Sequence, residues 1–338
     1  MANYRAVLVG AGSMGKGWGK NLQDHGEVDV VGWVDIRPEA AAAASEERQF
    51  TNCWTGDDLE KCLAETNPDF VVDVTIPEAH HDVTLTSLAA GIPVLGEKPM
   101  ASSMAEAREM VSASEKAGKL YMVSQSRRYD ARIHAYKRLI SQNLGTLGIL
   151  NSDFYIGAHF GGFRDEMDHV LILDMAIHTF DAARYLCDSE AVAVYCEEFN
   201  PSWSWYKGNA SATAIFEMAN GLRYTYAGSW CAEGKMSSWE GDWRAVGEKG
   251  TALWDGRNEI SAEVVTKTEG FHSETEPRTV ETEKIPGGIA GSLRDFLNAL
   301  RTGETPMGEC HDNIKSLAMV FAAIESAKTG QRVTLPKV

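Results

Sequence analysis

Cysteine is scarce in this chain, and none of it is paired. Six thiols, Cys53, Cys62, Cys187, Cys196, Cys231 and Cys310, are scattered through 338 residues with no C-x-x-C spacing. That excludes a disulfide framework or a cysteine zinc site and reads as free thiols in a reducing compartment. No apolar run approaches the ~18 residues that a membrane span requires. The first apolar strand, Ala6-Val7-Leu8-Val9, begins too early to leave room for a signal peptide. A cytoplasmic protein is therefore expected. Positive charge is also short, with 32 Lys and Arg against 48 Asp and Glu and a formal net charge of −16. Nucleic acid and anionic membranes both call for concentrated Lys and Arg, so neither is an expected partner. Low-complexity tracts and internal repeats are absent as well.

The length exceeds what one typical core accommodates and suits two domains. Up to residue 124, apolar runs of strand length alternate with helical stretches. The runs are Ala6–Val9, Val28–Val34, Phe70–Val74, Ile92–Leu95 and Leu120–Val123. Between them, helices are predicted at Met14–His25, Pro38–Arg48, Asp57–Ala64, His81–Ala90 and Met104–Ala117. Short apolar strands alternating with helices imply a parallel sheet covered on both faces. Domain one, residues 1–124, is thus expected to be a doubly wound α/β, Rossmann-type domain.

From residue 125 to 338 the texture changes. Helices are predicted at Ala131–Gln142, Leu173–Cys187, Leu293–Arg301 and Asn313–Thr329. Long alternating runs at Ile149–Ile156, Val192–Phe199, Ala212–Met218, Leu222–Ser229 and Asp242–Val246 read as strands, with Asn220-Gly221 as a hairpin turn. The expectation is an α+β domain with an open, mostly antiparallel sheet, its C-terminal helices packing back on the first domain. An open sheet face invites a partner subunit, so a homodimer or homotetramer through this sheet is expected.

Gly10-x-Gly12-x-x-Gly15 follows the first strand and opens the first helix. Gly10 permits a tight turn, Gly12 lets the backbone approach a pyrophosphate, and Gly15 lets helix and strand pack closely. Ser13 and Met14 lie at the helix N-terminus, where exposed amides bind phosphate. Asp35 ends the second strand, placed to accept hydrogen bonds from an adenosine ribose 2′-hydroxyl and to repel a 2′-phosphate. That favours NAD, although Arg37 could pair with the phosphate of NADP. Lys98, in Gly96-Glu97-Lys98-Pro99, sits at the carboxyl edge of the sheet, where ligands bind in open α/β folds. Asp174, His178 and Asp181 are spaced i, i+4 and i+7, one helical face of three titratable groups. Read alone, that face is open to two accounts: a catalytic group, or a helix cap with a hydrogen-bonded buried histidine.

These elements together resemble the glucose–fructose oxidoreductase/inositol dehydrogenase (Gfo/Idh/MocA) family. The likeness rests on the glycine loop, Asp35, Ile76-Pro77-x-x-x-His81, Glu97-Lys98-Pro99 and Asp174-x-x-x-His178, and covers essentially the whole chain. It implies further cofactor contacts from Thr75, Ile76, Pro77, His81, Glu97, Lys98 and Gln125. It also implies a catalytic trio. His178 would take the substrate hydroxyl proton, Lys98 would hold the same oxygen, and Asp174 would orient Lys98 or His178. Arg128, in Arg128-Tyr129-Asp130, matches another stretch of the family and is a substrate candidate. The implied activity is hydride transfer between nicotinamide and a secondary hydroxyl or ketone of a sugar, sugar derivative or inositol. Two alternatives share the scaffold: an NAD-dependent glycosidase and a dinucleotide sensor without turnover.

The sequence departs from the family in carrying Ile76-Pro77-Glu78 for Thr-Pro-Asn, and in Asp168–Leu173, which replaces a glycine-rich lead-in. The loop before the catalytic helix offers Tyr155, His159 and Arg164 to substrate hydroxyls, with Arg164 also suited to a carboxylate or phosphate. His159 and His169 have no carboxylate or cysteine at metal-ligand spacing, so no metal is expected. Of the second domain's aromatics, Trp203, Trp205, Tyr206, Trp230, Trp239 and Trp243, most are assigned to packing and one or two to a sugar face.

Overall fold

The computed structural model describes residues 3–338, which divide into two compact units. The first takes in the chain through Ser126 together with Gly287–Ile314. Its elements are β1 (Tyr4–Val9), α1 (Ser13–His25), β2 (Val28–Val34), α2 (Pro38–Arg48), β3 (Trp54–Gly56), α3 (Leu59–Thr66), β4 (Phe70–Asp73), α4 (Pro77–Ala89), β5 (Val94–Glu97), α5 (Met104–Ala117) and β6 (Tyr121–Ser124). The strands form one parallel sheet in the order β3-β2-β1-β4-β5-β6. All residues of β4, β5 and β6 are buried. Helices cover both faces, which explains runs that are apolar without alternation. The doubly wound fold expected from the sequence is the one found. The order reverses between β1 and β4, and the carboxyl ends of the strands there form the ligand-binding crevice of such folds.

Two local expectations shift. β3 has only three residues and no apolar pattern, so nothing in the sequence announces it. α4 starts four residues ahead of the predicted His81, because Pro77 with its fixed φ occupies the first turn.

The second unit comprises Arg127–Pro286 and Lys315–Lys337. A 3₁₀ turn at Ser126–Tyr129 precedes α6 (Ala131–Asn143), which Asp130 caps by accepting from the Arg132 amide at 2.8 Å. Then come β7 (Leu147–Tyr155), the short α7 (Phe163–Glu166), a π-helical turn at Leu171–Ala176 and α8 (Ile177–Cys187). The remaining strands are β8 (Ala191–Phe199), β9 (Ser211–Met218), β10 (Arg223–Ser229), β11 (Asp242–Gly247), β12 (Gly250–Trp254), β13 (Ile260–Lys267) and β14 (Glu274–Thr279), with β15 (Val333–Thr334) near the C-terminus.

They make a nine-stranded sheet, β14-β13-β12-β11-β7-β10-β9-β8-β15, in which only β7 and β10 run parallel. One face carries α6 and α8. There Phe180 of α8 meets Phe216, Tyr224 and Tyr226 edge-on, with ring centroids 4.8, 6.3 and 5.3 Å away. Ladder register lines up Tyr195, Ile215, Thr225, Asn151, Arg244 and Leu253 across the other face. Tyr195, Ile215 and Leu253 are 47, 48 and 43% exposed.

Two C-terminal helices follow, α9 (Gly288–Thr302) and α10 (Cys310–Thr329). α9 belongs to the first unit, where it packs on α1 and sets Phe296 5.3 Å from Phe70 of β4. The stretch 125–338 is therefore not one uninterrupted unit: an amphipathic helix whose apolar face fits the Rossmann sheet is returned to it. No helix among the described residues is long and apolar enough to cross a membrane.

Candidate active site

The glycine loop joins β1 to α1. Gly10 has φ +102°, and a Cβ there would lie 2.7 Å from the Val74 carbonyl oxygen. A Cβ on Gly15 would fall 2.0 Å from the Gly10 oxygen, so the helix can seat against the loop only without one. At Gly12 a Cβ would meet nothing within 4 Å. Gly12, Ser13 and Met14 are exposed at the start of α1. No side chain caps that end, and no acid stands in its first turn. Uncapped amides facing open space are the donor set that a pyrophosphate takes.

Two buried side chains that sequence reading passed over hold this loop in place. Trp33 of β2 donates its indole N–H to the Gly10 carbonyl at 3.0 Å. Trp18 of α1 donates to Glu97 Oε1 at 2.7 Å. Asp35 also ties the loop down: Oδ2 accepts from the Ala11 amide at 2.7 Å and Oδ1 from the Arg37 amide at 2.9 Å. Each carboxylate oxygen has a second lone pair, so a ribose hydroxyl can still be accepted. The exposed Arg37 guanidinium stands 3.6 Å from Asp35.

At the ends of β4 and β5, Thr75 donates its hydroxyl and its amide to Asp73 Oδ1 at 2.7 and 3.0 Å. Ile76 is exposed and Pro77 opens α4. Burial raises the Asp73 carboxyl above its ordinary range. His81 is a correction. Its Nε2 pairs with Glu109 of α5 at 2.9 Å and its Nδ1 with Asp82 at 3.0 Å, on the outer side of α4. The inward histidine is its neighbour His80, one residue further back around the helix. Its Nδ1 lies 2.8 Å from the Pro99 carbonyl oxygen and its Nε2 3.1 Å from that of Thr75. An i/i+1 pair of histidines offers no sequence signal for which one faces in.

Glu97 is buried, and burial pushes its carboxyl pKa up against the pull of Trp18 and Lys98. Lys98 follows it, half-buried, and the Lys98–Pro99 bond is cis. Gln125, just beyond β6, buries an amide Nε2 with no partner among the described residues, a donor suited to a bound nicotinamide group.

In the second unit, Asp174 does not share an α-helical face with His178 and Asp181. The π turn Leu171–Ala176 ends between Asp174 and His178, and its wider winding rotates Asp174 away from the α8 register. Arg164 reaches across the preceding loop and donates from Nε and Nη2 to Asp174 at 2.8 and 3.3 Å. Its guanidinium lies over the rings of Phe160 and Phe163, 4.9 and 4.7 Å from their centroids. His178 is half-buried in the first turn of α8.

Asp181 is fully interior and takes Arg128 in a two-pronged pair, 2.7 Å on each prong. That corrects Arg128: a guanidinium locked to a buried carboxylate is a structural brace, not a substrate contact. Its neighbour Arg127, half-buried beside Met175 of the π turn and Glu240, was not singled out in the sequence.

Tyr155 ends β7 with its ring partly exposed. His159 is stacked on Trp205 with centroids 3.7 Å apart, and pairs with Glu233 at 2.8 Å. Trp230, Trp243 and Tyr206 are buried, whereas Trp203 and Trp239 are exposed. His169 pairs with Glu198 at 2.6 Å.

The model of the oxidoreductase family's NAD-binding Rossmann fold matches residues 4–125, and that of its C-terminal α/β domain matches 137–335. The chain belongs to the Gfo/Idh/MocA family. As a Gfo/Idh/MocA protein it is an NAD(P)-dependent dehydrogenase or reductase, with NAD as the cofactor of its first domain. Among its relatives, a D-apiose dehydrogenase of Paraburkholderia graminis is 25% identical, over 98% of this chain and 90% of its own. An inositol 2-dehydrogenase of an Arthrobacter species is 32% identical over 56% of each chain. The solved structure of an Agrobacterium radiobacter oxidoreductase with NAD+, L-tartaric acid and magnesium superposes with a TM-score of 0.86, at 22% identity and 98% coverage of both chains. This family member thus has the family's two-domain fold along its whole length.

Proposed function

We propose that the protein oxidises a secondary hydroxyl of a sugar, sugar derivative or cyclitol, or reduces the corresponding ketone, with Lys98, Asp174 and His178 as its catalytic residues. The observation that carries this reading is that the chain keeps Lys98 directly after β5, at the carboxyl edge of the sheet that presents the uncapped start of α1. Relatives named for apiose and inositol support the substrate class.

Bound NAD supplies the hydride acceptor. His178 takes the hydroxyl proton, a task suited to imidazole because its ordinary pKa lies near neutrality. The Lys98 ammonium stabilises charge developing on the same oxygen. Asp174, held by Arg164, orients His178. Gly12, Ser13 and Met14 offer amides to the pyrophosphate, Asp35 takes the ribose, and Thr75, Ile76, Glu97 and Gln125 border the nicotinamide end. Tyr155, His159 and Arg164 contact the substrate from the loop over the π turn. A second copy covers the open sheet face of this cytoplasmic enzyme.

The test is a panel of aldoses, uronates and cyclitols followed by the absorbance of NADH. Net NADH formation that falls by about 10²–10⁴ in Lys98→Ala and His178→Ala, with NAD still bound, is the expected result. Undiminished turnover in both variants overturns the assignment, as does glycoside cleavage without net NADH.

A further inference from the structure

No two cysteines are spaced for a metal, but a single thiol can ligate in other company. Among the described residues, one place brings a thiol, an imidazole and a carboxylate within 4.8 Å of one another: Glu309, Cys310 and His311, where α10 begins. All three belong to the first unit, and none has a part in the proposed reaction. The segment lies along β6, the edge strand of the parallel sheet. There Glu309 forms an antiparallel bridge with Met122, and the Val123 amide donates to the Gly308 carbonyl at 2.8 Å. Gly308 has φ +86°, and a Cβ on it would lie 2.5 Å from the Val123 carbonyl oxygen, so glycine is what permits this approach.

The donor atoms are close to a metal-ligand arrangement. Cys310 Sγ lies 2.9 Å from Glu309 Oε1 and 3.5 Å from His311 Nδ1, and those two atoms are 2.8 Å apart. Tetrahedral zinc, with bonds of about 2.3 Å to sulfur and about 2.0 Å to nitrogen and oxygen, sets its ligands about 3.3–3.6 Å from one another. The sulfur and nitrogen already have that separation. The carboxylate oxygen has to withdraw by about half an ångström to reach it. The outer contacts also suit a ligand set. Glu309 Oε2 is anchored by the His311 amide at 3.0 Å, which leaves Oε1 forward. His311 Nε2, on the far side of the ring, pairs with Glu115 of α5 at 3.0 Å. A carboxylate on the outer nitrogen fixes the ring orientation and makes the inner nitrogen a more basic ligand. Cys310 is buried whereas His311 is exposed, so the site is open to solvent on one side only.

We propose that Glu309, Cys310 and His311 bind a zinc-type divalent cation through Oε1, Sγ and Nδ1, with water in the fourth position and Glu115 behind His311. Thiolate, imidazole and carboxylate are the donors zinc takes, whereas magnesium and calcium take oxygen sets. Binding releases the thiol proton to solvent, so that a thiolate, a neutral imidazole and a carboxylate face the ion. The ion straps the start of α10 to the end of α5 through the His311–Glu115 contact.

The test takes the full-length chain, stripped of metal by a chelator, and titrates it with cobalt(II), a coloured ion that enters zinc sites. The expected result is a single ion per chain, with a sulfur-to-cobalt charge-transfer band and the intense visible bands of four-coordinate cobalt, displaced by added zinc. Cys310→Ser should abolish the charge-transfer band even though the other five of the six thiols remain. His311→Ala, at an exposed position that folding does not depend on, should remove the four-coordinate bands. Glu115→Gln should weaken binding by about 10–100-fold. Zinc should raise the melting temperature of the wild type and of neither ligand variant, with circular dichroism confirming that both fold. Absence of a thiolate band in the wild type overturns the proposal. So does its persistence in Cys310→Ser, or an equal zinc-dependent rise in wild type and His311→Ala. Neither turnover nor NAD binding enters these readouts, so they stand apart from the reaction proposed above.

Discussion

At the scale of single residues, the glycine loop separates cofactor binding from folding. Gly15→Ala places a methyl group 2.0 Å from the Gly10 oxygen, so helix or loop must move, and both stability and NAD affinity should fall. Gly12→Ala places one in open space. Its melting temperature should stay near wild type while NAD affinity drops, because the methyl occupies the space a phosphate approaches. Equal loss of stability in the two variants would contradict that division. Sequence pattern was enough to place the glycine loop between β1 and α1 and Asp35 just after β2, since the turn has no room for a Cβ at Gly10 or Gly15. It failed at Arg128, His80 and His81. A motif says that a charge or ring is present, whereas its partner, Asp181 fifty-three positions away or Pro99 across a strand, is set by packing. Arg128→Ala should leave the buried Asp181 uncompensated and cost roughly 3–5 kcal/mol, read by urea unfolding. A cost within error of zero would return Arg128 to the substrate role first considered for it.

At the scale of elements, the strands and helices of the first unit, β3 apart, were legible because covered parallel strands are uniformly apolar and their helices carry caps such as Asp58 and Ser103. The π turn was not. Its last four residues, Leu173–Ala176, read as the start of one continuous helix to Cys187, and only geometry shows that Asp174 is displaced from the α8 face. The strands β12 to β14, at one end of the sheet, escaped for a different reason: charged and small residues dilute their alternation. β5 ends in a residue whose ionisation the fold resists. Burial raises Glu97 above its ordinary 4.5, so folded protein holds its proton to higher pH than unfolded chain. Its contribution is therefore present below the ordinary value and lost as pH rises through the raised one. Glu97→Gln keeps an oxygen for the Trp18 indole and removes the charge. Its melting temperature relative to wild type should climb as pH rises from acid towards neutral. A difference that stays flat or falls over that range would mean that the Lys98 charge outweighs burial.

At the scale of the whole molecule, the second unit carries a sheet with one face packed and one bare. Inward positions on β9 and β10, among them Phe216, Tyr224 and Tyr226, are buried under α8, while the alternate positions present Tyr195, Ile215 and Leu253 in one register row with Thr225, Asn151 and Arg244 between them. Period-two alternation turns these positions to the open face, where three large apolar side chains stand exposed in a row that also holds Thr225, Asn151 and Arg244. A two-fold pairing of the same face on itself covers such a row with one surface and leaves no further edge to propagate. Ile215 sits between Tyr195 and Thr225 in this row. Ile215→Lys should therefore lower the mass measured by light scattering to that of a single chain, with little change in the unfolding of each unit. A wild-type protein that is monomeric at micromolar concentration would sink the idea outright, and an assembly that survives both Ile215→Lys and Leu253→Lys would place its interface elsewhere.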